Sequence, residues 1–114
     1  MRASLCLLLL LSLSSADKVE YEIEINRAIA NLYNFKLDSC IYRLSDLSTD
    51  YPEDALIPFL QISAQWQKTL LDESPDSSYN VIYKGIERVE PFYVEMMDKY
   101  PKDPSYPLFL GSLH

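Results

Sequence analysis

Apolar residues recur with a period near 3.6 through most of this chain, the spacing that gives a helix one buried face. Ile25, Ile29, Leu32 and Tyr33 share such a face, with Ala28 beside them, and predict a helix over about 18–34. Leu37, Cys40, Ile41, Leu44 and Leu47 predict a second over about 37–50. Leu56, Phe59, Leu60, Ser63, Trp66 and Leu70 form the stripe of a third over about 55–73. Ile82, Ile86, Val89, Tyr93, Met96 and Met97 mark a fourth over about 79–99, which Pro91 is expected to kink or split. A fifth begins at Pro104 and covers about 104–114. Asn34-Phe35-Lys36 reads as a brief turn, and Ser74-Pro75-Asp76-Ser77-Ser78 as the clearest loop. Only 2 residues are Gly, too few for the many turns of an all-β fold, so the chain reads as all-α.

An internal repeat organises these helices. Tyr51-Pro52-Glu53-Asp54, followed by Pro58, returns as Tyr100-Pro101-Lys102-Asp103, followed by Pro107, at an offset of 49 residues. Each copy is a helix-to-helix corner. The residue before a proline is pushed out of the α region, so Tyr51 and Tyr100 end their helices. Asp54 and Asp103 are expected to cap the next helix by accepting its orphan N–H groups. Pro104 suits the first helical position, where a missing N–H costs nothing. Two such corners predict helix pairs stacked one on another.

The stretch from Ala28 to Pro52 resembles a tetratricopeptide repeat. That family places a small residue early in its second helix, a large apolar residue four further on, another three later, and a closing proline. Cys40, Leu44, Leu47 and Pro52 stand in those places, and Val89, Tyr93, Met96 and Pro101 repeat the pattern. Phe35 occupies a turn where the family often has Gly, the Trp and Gly-Tyr spacing of the first helix is missing, and the second unit exceeds the usual ~34 residues. Leu32-Tyr33-Asn34-Phe35-Lys36-Leu37-Asp38 looks like divergent tetratricopeptide-like proteins of bacterial envelopes. The resemblance implies antiparallel helix pairs in an α-solenoid that binds a protein or peptide on its concave side, formed by the first helix of each pair. Arg27, Asn31, Asn34, Gln61, Gln65 and Lys68 are the polar candidates for that surface. Stacks of this kind need a covering helix at each end and usually three units, so the chain is expected to continue past His114.

The first sixteen residues read as a leader rather than as fold. Arg2 gives a positive start, Leu5 to Leu11 an apolar run containing Cys6, and Ser14 and Ala16 the small residues that a signal peptidase accepts. Ala3 to Leu13 is too short to span a ~30 Å bilayer core as a helix, and Cys6 stands too early in the run for lipidation. The domain then covers 17–114, in the periplasm or outside the cell, with no stable membrane span after cleavage. Asp17 and Glu20 have capping-box spacing at its start. Without Arg2 the net charge moves from −7 to −8, a balance that repels nucleic acid and anionic membranes. Cys40 remains as a single cysteine and reads as a small buried hydrophobe.

Candidate chemistry is sparse. His114 is the only histidine, which leaves no ordered base for a Ser-His-Asp or Cys-His mechanism. Gly85 and Gly111 stand alone and form no phosphate loop; Gly85 marks a close helix crossing or a weak point in its helix. The carboxylates at Glu20, Glu22 and Glu24, and at Asp72, Glu73 and Asp76, read as solvated surface without calcium-loop spacing. No cofactor or metal is expected. The sequence therefore predicts a non-catalytic protein–protein interaction or scaffold module. The alternative is a small-molecule or lipid carrier with a pocket between aromatic-rich helices.

Overall fold

The computed structural model describes the backbone of residues 2–72 and 75–114, and the side chains of residues 18–71 and 78–114. Among the described residues the fold is all-α. The helices are α1 (Arg2–Tyr33), α2 (Leu37–Asp50), α3 (Leu56–Asp72), α4 (Pro75–Lys99) and α5 (Ser105–Leu113). Each packs on the next in sequence, and α5 also packs on α3. No helix among the described residues is long and apolar enough to cross a membrane.

Some expectations change. The leader, Cys6 and the Asp17 cap lie outside the described side chains, and α1 runs on without a break from Arg2. Pro75 to Ser78, expected in a loop, belong to the first turn of α4, where a proline gives up an N–H that has no helical partner anyway. Ser74 lies outside the described residues, as do the side chains of Asp72, Glu73 and Asp76. Pro91 sits inside α4 without dividing it. It is exposed, so water can solvate the Glu87 carbonyl that it leaves unbonded.

The two corners are built alike. Tyr51 N–H donates to the Leu47 carbonyl at 2.8 Å, and Tyr100 N–H to that of Met96 at 2.8 Å. Asp54 N–H reaches the Tyr51 carbonyl at 3.2 Å, and Asp103 N–H the Tyr100 carbonyl at 3.1 Å. Asp54 Oδ1 then accepts from Leu56 and Ile57 N–H at 2.9 and 3.1 Å. Asp103 Oδ1 accepts from Ser105 N–H at 2.9 Å. Both aspartates are therefore N-caps. Pro104 already has helical angles, φ −75° and ψ −12°, which makes it the first residue of α5 in conformation.

Burial repeats with the same offset. Leu37, Cys40, Leu44 and Leu47 are buried in α2, and their counterparts Ile86, Val89, Tyr93 and Met96 are buried in α4. One core joins Ile25 and Ala28 of α1 to Cys40, Leu44 and Leu47 of α2 and to Ile57, Leu60 and Ala64 of α3. A second joins Ala55 and Ile62, on the α3 side, to Val89, Tyr93 and Met96 of α4 and Tyr106 of α5. Helix α3 is thus the wall shared by both. Where α3 meets α4, Gly85 allows the close approach: a Cβ there would stand 3.2 Å from Ile62 Cγ1. Cys40 is a free buried thiol whose pKa burial pushes up, which disfavours the reactive thiolate.

Four tyrosines converge on the first corner. Tyr93, fully buried, donates its hydroxyl to the Ala55 carbonyl at 2.6 Å. Tyr106 donates to the Glu53 carbonyl at 2.7 Å. Tyr100 donates to Glu53 Oε1 at 2.9 Å, while Lys99 Nζ binds Glu53 Oε2. Tyr21 of α1 sets its ring edge-on to Tyr51, centroids 5.0 Å apart. Burial, together with a hydrogen bond to Asp54, raises the Tyr21 pKa. The second corner is in this way tied to the first through Glu53.

Two predictions follow from this hub. Tyr93→Phe keeps the ring but removes the hydroxyl that reinforces the Ala55 carbonyl at the start of α3, which should cost about 0.5–1.5 kcal/mol in a denaturant titration. An unchanged midpoint with unchanged slope would show that the bond carries nothing. The hydrogen bonds from Lys99 and Tyr100 hold the Glu53 carboxyl below the usual range. A depressed folded pKa contributes stability above the unfolded value of ~4.3 and loses it as pH falls through the folded value. Stability should therefore decline below about pH 5. Glu53→Gln should flatten part of that decline when unfolding is compared at pH 7 and pH 4. The effect is small because the pair is solvent-exposed, but an identical pH slope in the variant would rule the contribution out.

Candidate functional site

The turn between α1 and α2 fixes the edge of an apolar recess. Lys36 N–H donates to the Asn31 carbonyl at 2.8 Å and Phe35 N–H to that of Leu32 at 3.2 Å. This is the Schellman pattern, which needs a left-handed residue just past the helix end. Phe35 fills that position with φ 57°, the only positive-φ non-glycine residue among those described. A side chain in this conformation costs on the order of 1–2 kcal/mol that glycine would avoid. The Phe35 ring does not recover the cost by burial, because it is 66% exposed.

Beside it lies a groove of about 480 Å³ between the first helix and the third. Ile29, Leu32 and Tyr33 form one wall with Phe35 at its end, and Phe59, Leu60, Ser63, Trp66 and Gln67 form the other. None of these carries a charge. The Ser63 hydroxyl donates to the Phe59 carbonyl at 2.9 Å and so is occupied within its own helix. Tyr33 is 80% exposed and Trp66 37%, so apolar and aromatic surface faces solvent at the lip. The Phe59 ring also packs on Phe109 of α5, with centroids 5.4 Å apart. The open groove is lined by α1, the turn that follows it and α3.

Several residues expected on the inward stripes thus face outward. Tyr33, Trp66 and Leu70 are exposed, and Ile57, Ile62 and Ala64 take the buried places in α3 instead. The reason is that α3 meets its neighbours on two separate sides, so its packed residues follow no single 3.6-period stripe.

The six polar candidates do not line this groove. At about 100° per residue, they lie roughly 120–180° around their helices from the Ile29–Tyr33 and Phe59–Trp66 stripes. Arg27 is exposed and paired with Glu24 at 2.8 Å. Lys68 is paired with Asp38 at 2.7 Å. The Gln65 side chain accepts a long bond from Arg88 at 3.4 Å. Asn31 is half-buried, and its Nδ2 is enclosed without a hydrogen-bond partner. Gln61 is half-buried and Asn34 is exposed at the end of α1. Arg27, Asn31 and Asn34 follow one face of α1, and Gln61, Gln65 and Lys68 one face of α3, each turned away from the groove. The groove residues left off the candidate set had a legible signal: Leu56, Ile57, Phe59, Leu60, Ile62 and Trp66 surround α3 with apolar side chains.

Two further recesses are more polar. One, about 620 Å³ between α1 and α2, is lined by Glu20, Glu24, Asp38, Asp46 and Asp50, with Arg43 bonded to Glu24 at 3.1 Å. The other, about 350 Å³ between α4 and the end of α5, is lined by Tyr79, Ile82, Tyr83, Ile86, Glu87 and Glu90 with Leu113 and His114. Among the described residues no group of three or more His, Cys, Asp or Glu could hold a metal ion.

Comparison with known proteins adds no relative: no family model matches the chain, and neither a curated protein nor a solved structure matches it.

Proposed function

We propose that this chain is a non-catalytic protein-binding module, a stack of helix pairs of the tetratricopeptide-like kind, and that the groove between α1 and α3 is its recognising surface. What carries the reading is that open groove: an uncharged recess with Tyr33, Phe35 and Trp66 at its lip. Tyrosine and tryptophan are enriched among residues that dominate binding energy, and an exposed apolar patch in an acidic protein needs an explanation. The repeated corners and repeated burial support the stacked-pair architecture. In that architecture α1 and α3 are the first helices of their pairs, the ones that form the concave side.

A purified chain carrying Trp66→Ala or Tyr33→Ala should lose a partner protein that the wild type and Arg27→Ala both recover. A partner retained by both groove variants at wild-type yield would remove the groove from the reading. The volume of about 480 Å³ lies within the range of small-ligand pockets, which keeps a small-molecule or lipid carrier as the second reading. Native mass spectrometry of gently purified protein separates the two, since a carrier retains a ligand of defined mass.

The leader supports export to the periplasm or the cell exterior. Protein recovered from the exported fraction should begin at Asp17 by intact mass. A full-length chain retaining Met1 in that fraction would contradict it.

A further inference from the structure

Away from the α1–α3 groove, the recess of about 350 Å³ between α4 and the end of α5 combines free aromatic rings with free carboxylates. Tyr79, Tyr83, Glu87 and Glu90 line it and share one face of α4, within about 80° around the axis. Ile82, half-buried, and Ile86, buried, line it more deeply.

Packing does not account for this face. Tyr79 is 61% exposed and Tyr83 65%, so neither ring belongs to a core. Neither makes an aromatic, cation–π or hydrogen-bonding contact among the described residues. Glu87 and Glu90 are exposed and form no ion pair among the described residues. They stand three residues apart on the helix, where like charges repel. Lys84 has the spacing to relieve Glu87 but makes no bridge to it, and lies about 100° around α4 from Tyr83. Arg88 is turned to α3, where it reaches Gln65 at 3.4 Å. The recess between α1 and α2 is more acidic, but it contains Arg43 and a single aromatic ring, Tyr42.

One ligand class matches this combination. The face of an aromatic ring attracts a cation set over it, and a carboxylate adds a full negative charge. A primary ammonium or a metal ion gives up hydration to lie against isoleucine. A quaternary ammonium group carries its charge behind methyl groups, so it contacts rings and isoleucines without leaving a hydrogen bond unmade. The chain's net charge of −7 adds long-range attraction.

We propose that this recess binds the quaternary ammonium group of a small organic cation of the choline type, with Tyr79 and Tyr83 against its methyl groups and Glu87 and Glu90 supplying the countercharge. The site is separate from the α1–α3 groove and does not depend on what the groove binds. A phosphate attached to the cation meets the same two carboxylates, so the free alcohol is preferred to its phosphate ester.

Choline, phosphocholine and the neutral carbon isostere of choline are each titrated into the purified full chain, and NMR follows the tyrosine ring resonances and the ligand methyl signal. Choline should bind saturably and shift the rings of Tyr79 and Tyr83. The neutral isostere should bind about threefold more weakly or worse, and phosphocholine more weakly than choline. Tyr83→Leu and Glu87→Gln should each weaken choline binding about threefold or more, with melting temperatures close to that of the wild type because both side chains are exposed. His114→Gln removes the lining side chain able to carry a positive charge and should not weaken binding. Tyr42→Leu, at the α1–α2 recess, should leave choline binding unchanged.

No saturation with choline, equal binding of the neutral isostere, phosphocholine binding as tightly as choline, or wild-type affinity in Tyr83→Leu overturns the proposal. A loss in Tyr42→Leu equal to that in Tyr83→Leu overturns the choice of recess. Displacement of choline by an equal concentration of potassium ion also overturns it, by marking a nonspecific acidic surface.

Discussion

The structure depends on what happens to two backbone carbonyls at the first corner. A chain reversing between α2 and α3 ends one helix and starts another, which leaves peptide groups unpaired inside the packed region. Ala55 is buried, and its carbonyl, which begins the α3 ladder, takes a further donor from within the protein. Tyr93 supplies that donor from α4, and Tyr106 supplies one to the Glu53 carbonyl from α5. These bonds link residues 38 and 53 apart in sequence, so they hold α4 and α5 against the corner from which α3 starts. The exposed contacts of Glu53 with Lys99 and Tyr100 add orientation more than energy, because solvent screens them.

With the corner fixed, α3 is placed between two cores. Ile57, Leu60 and Ala64 serve one core, and Ile62, with Ala55 just before the helix, serves the other. Gly85 lets α4 approach closely on that second side. Two covered sides leave a third, bearing Phe59, Ser63 and Trp66, with no helix over it where it faces α1. The groove is a consequence of this geometry: α1 and α3 each pack against α2, and their neighbouring apolar stripes are left to line a recess between them. Its aromatic lip is set by Phe35, a residue that keeps a strained backbone at the surface.

The periodicity of apolar residues and the two Tyr-Pro corners were enough to read an all-α chain with Asp54 and Asp103 as caps, though α1 runs on from Arg2 rather than starting near residue 18. Those features are local: a helix face, a proline and a capping carboxylate act within a few residues of themselves. The buried set in α2 and α4 was legible for the same reason, since each of those helices presents one stripe. Sequence placed α3 and the buried Leu60 but not Ile57, Ile62 and Ala64, because a helix touching neighbours on two sides distributes its buried residues around the axis. It also put Pro75 in a loop where the structure starts α4, because a proline suits the end of a loop and the first turn of a helix equally well.

What only the tertiary structure decided is which apolar residues find a partner. Tyr33 and Tyr93 both sit at core-like positions in the sequence, yet one is 80% exposed and the other is fully buried with its hydroxyl on a backbone carbonyl. Nothing in their spacing distinguishes them. The difference comes from α4 lying against the first corner while the end of α1 faces open groove, and that is a property of how the helices are arranged around α3.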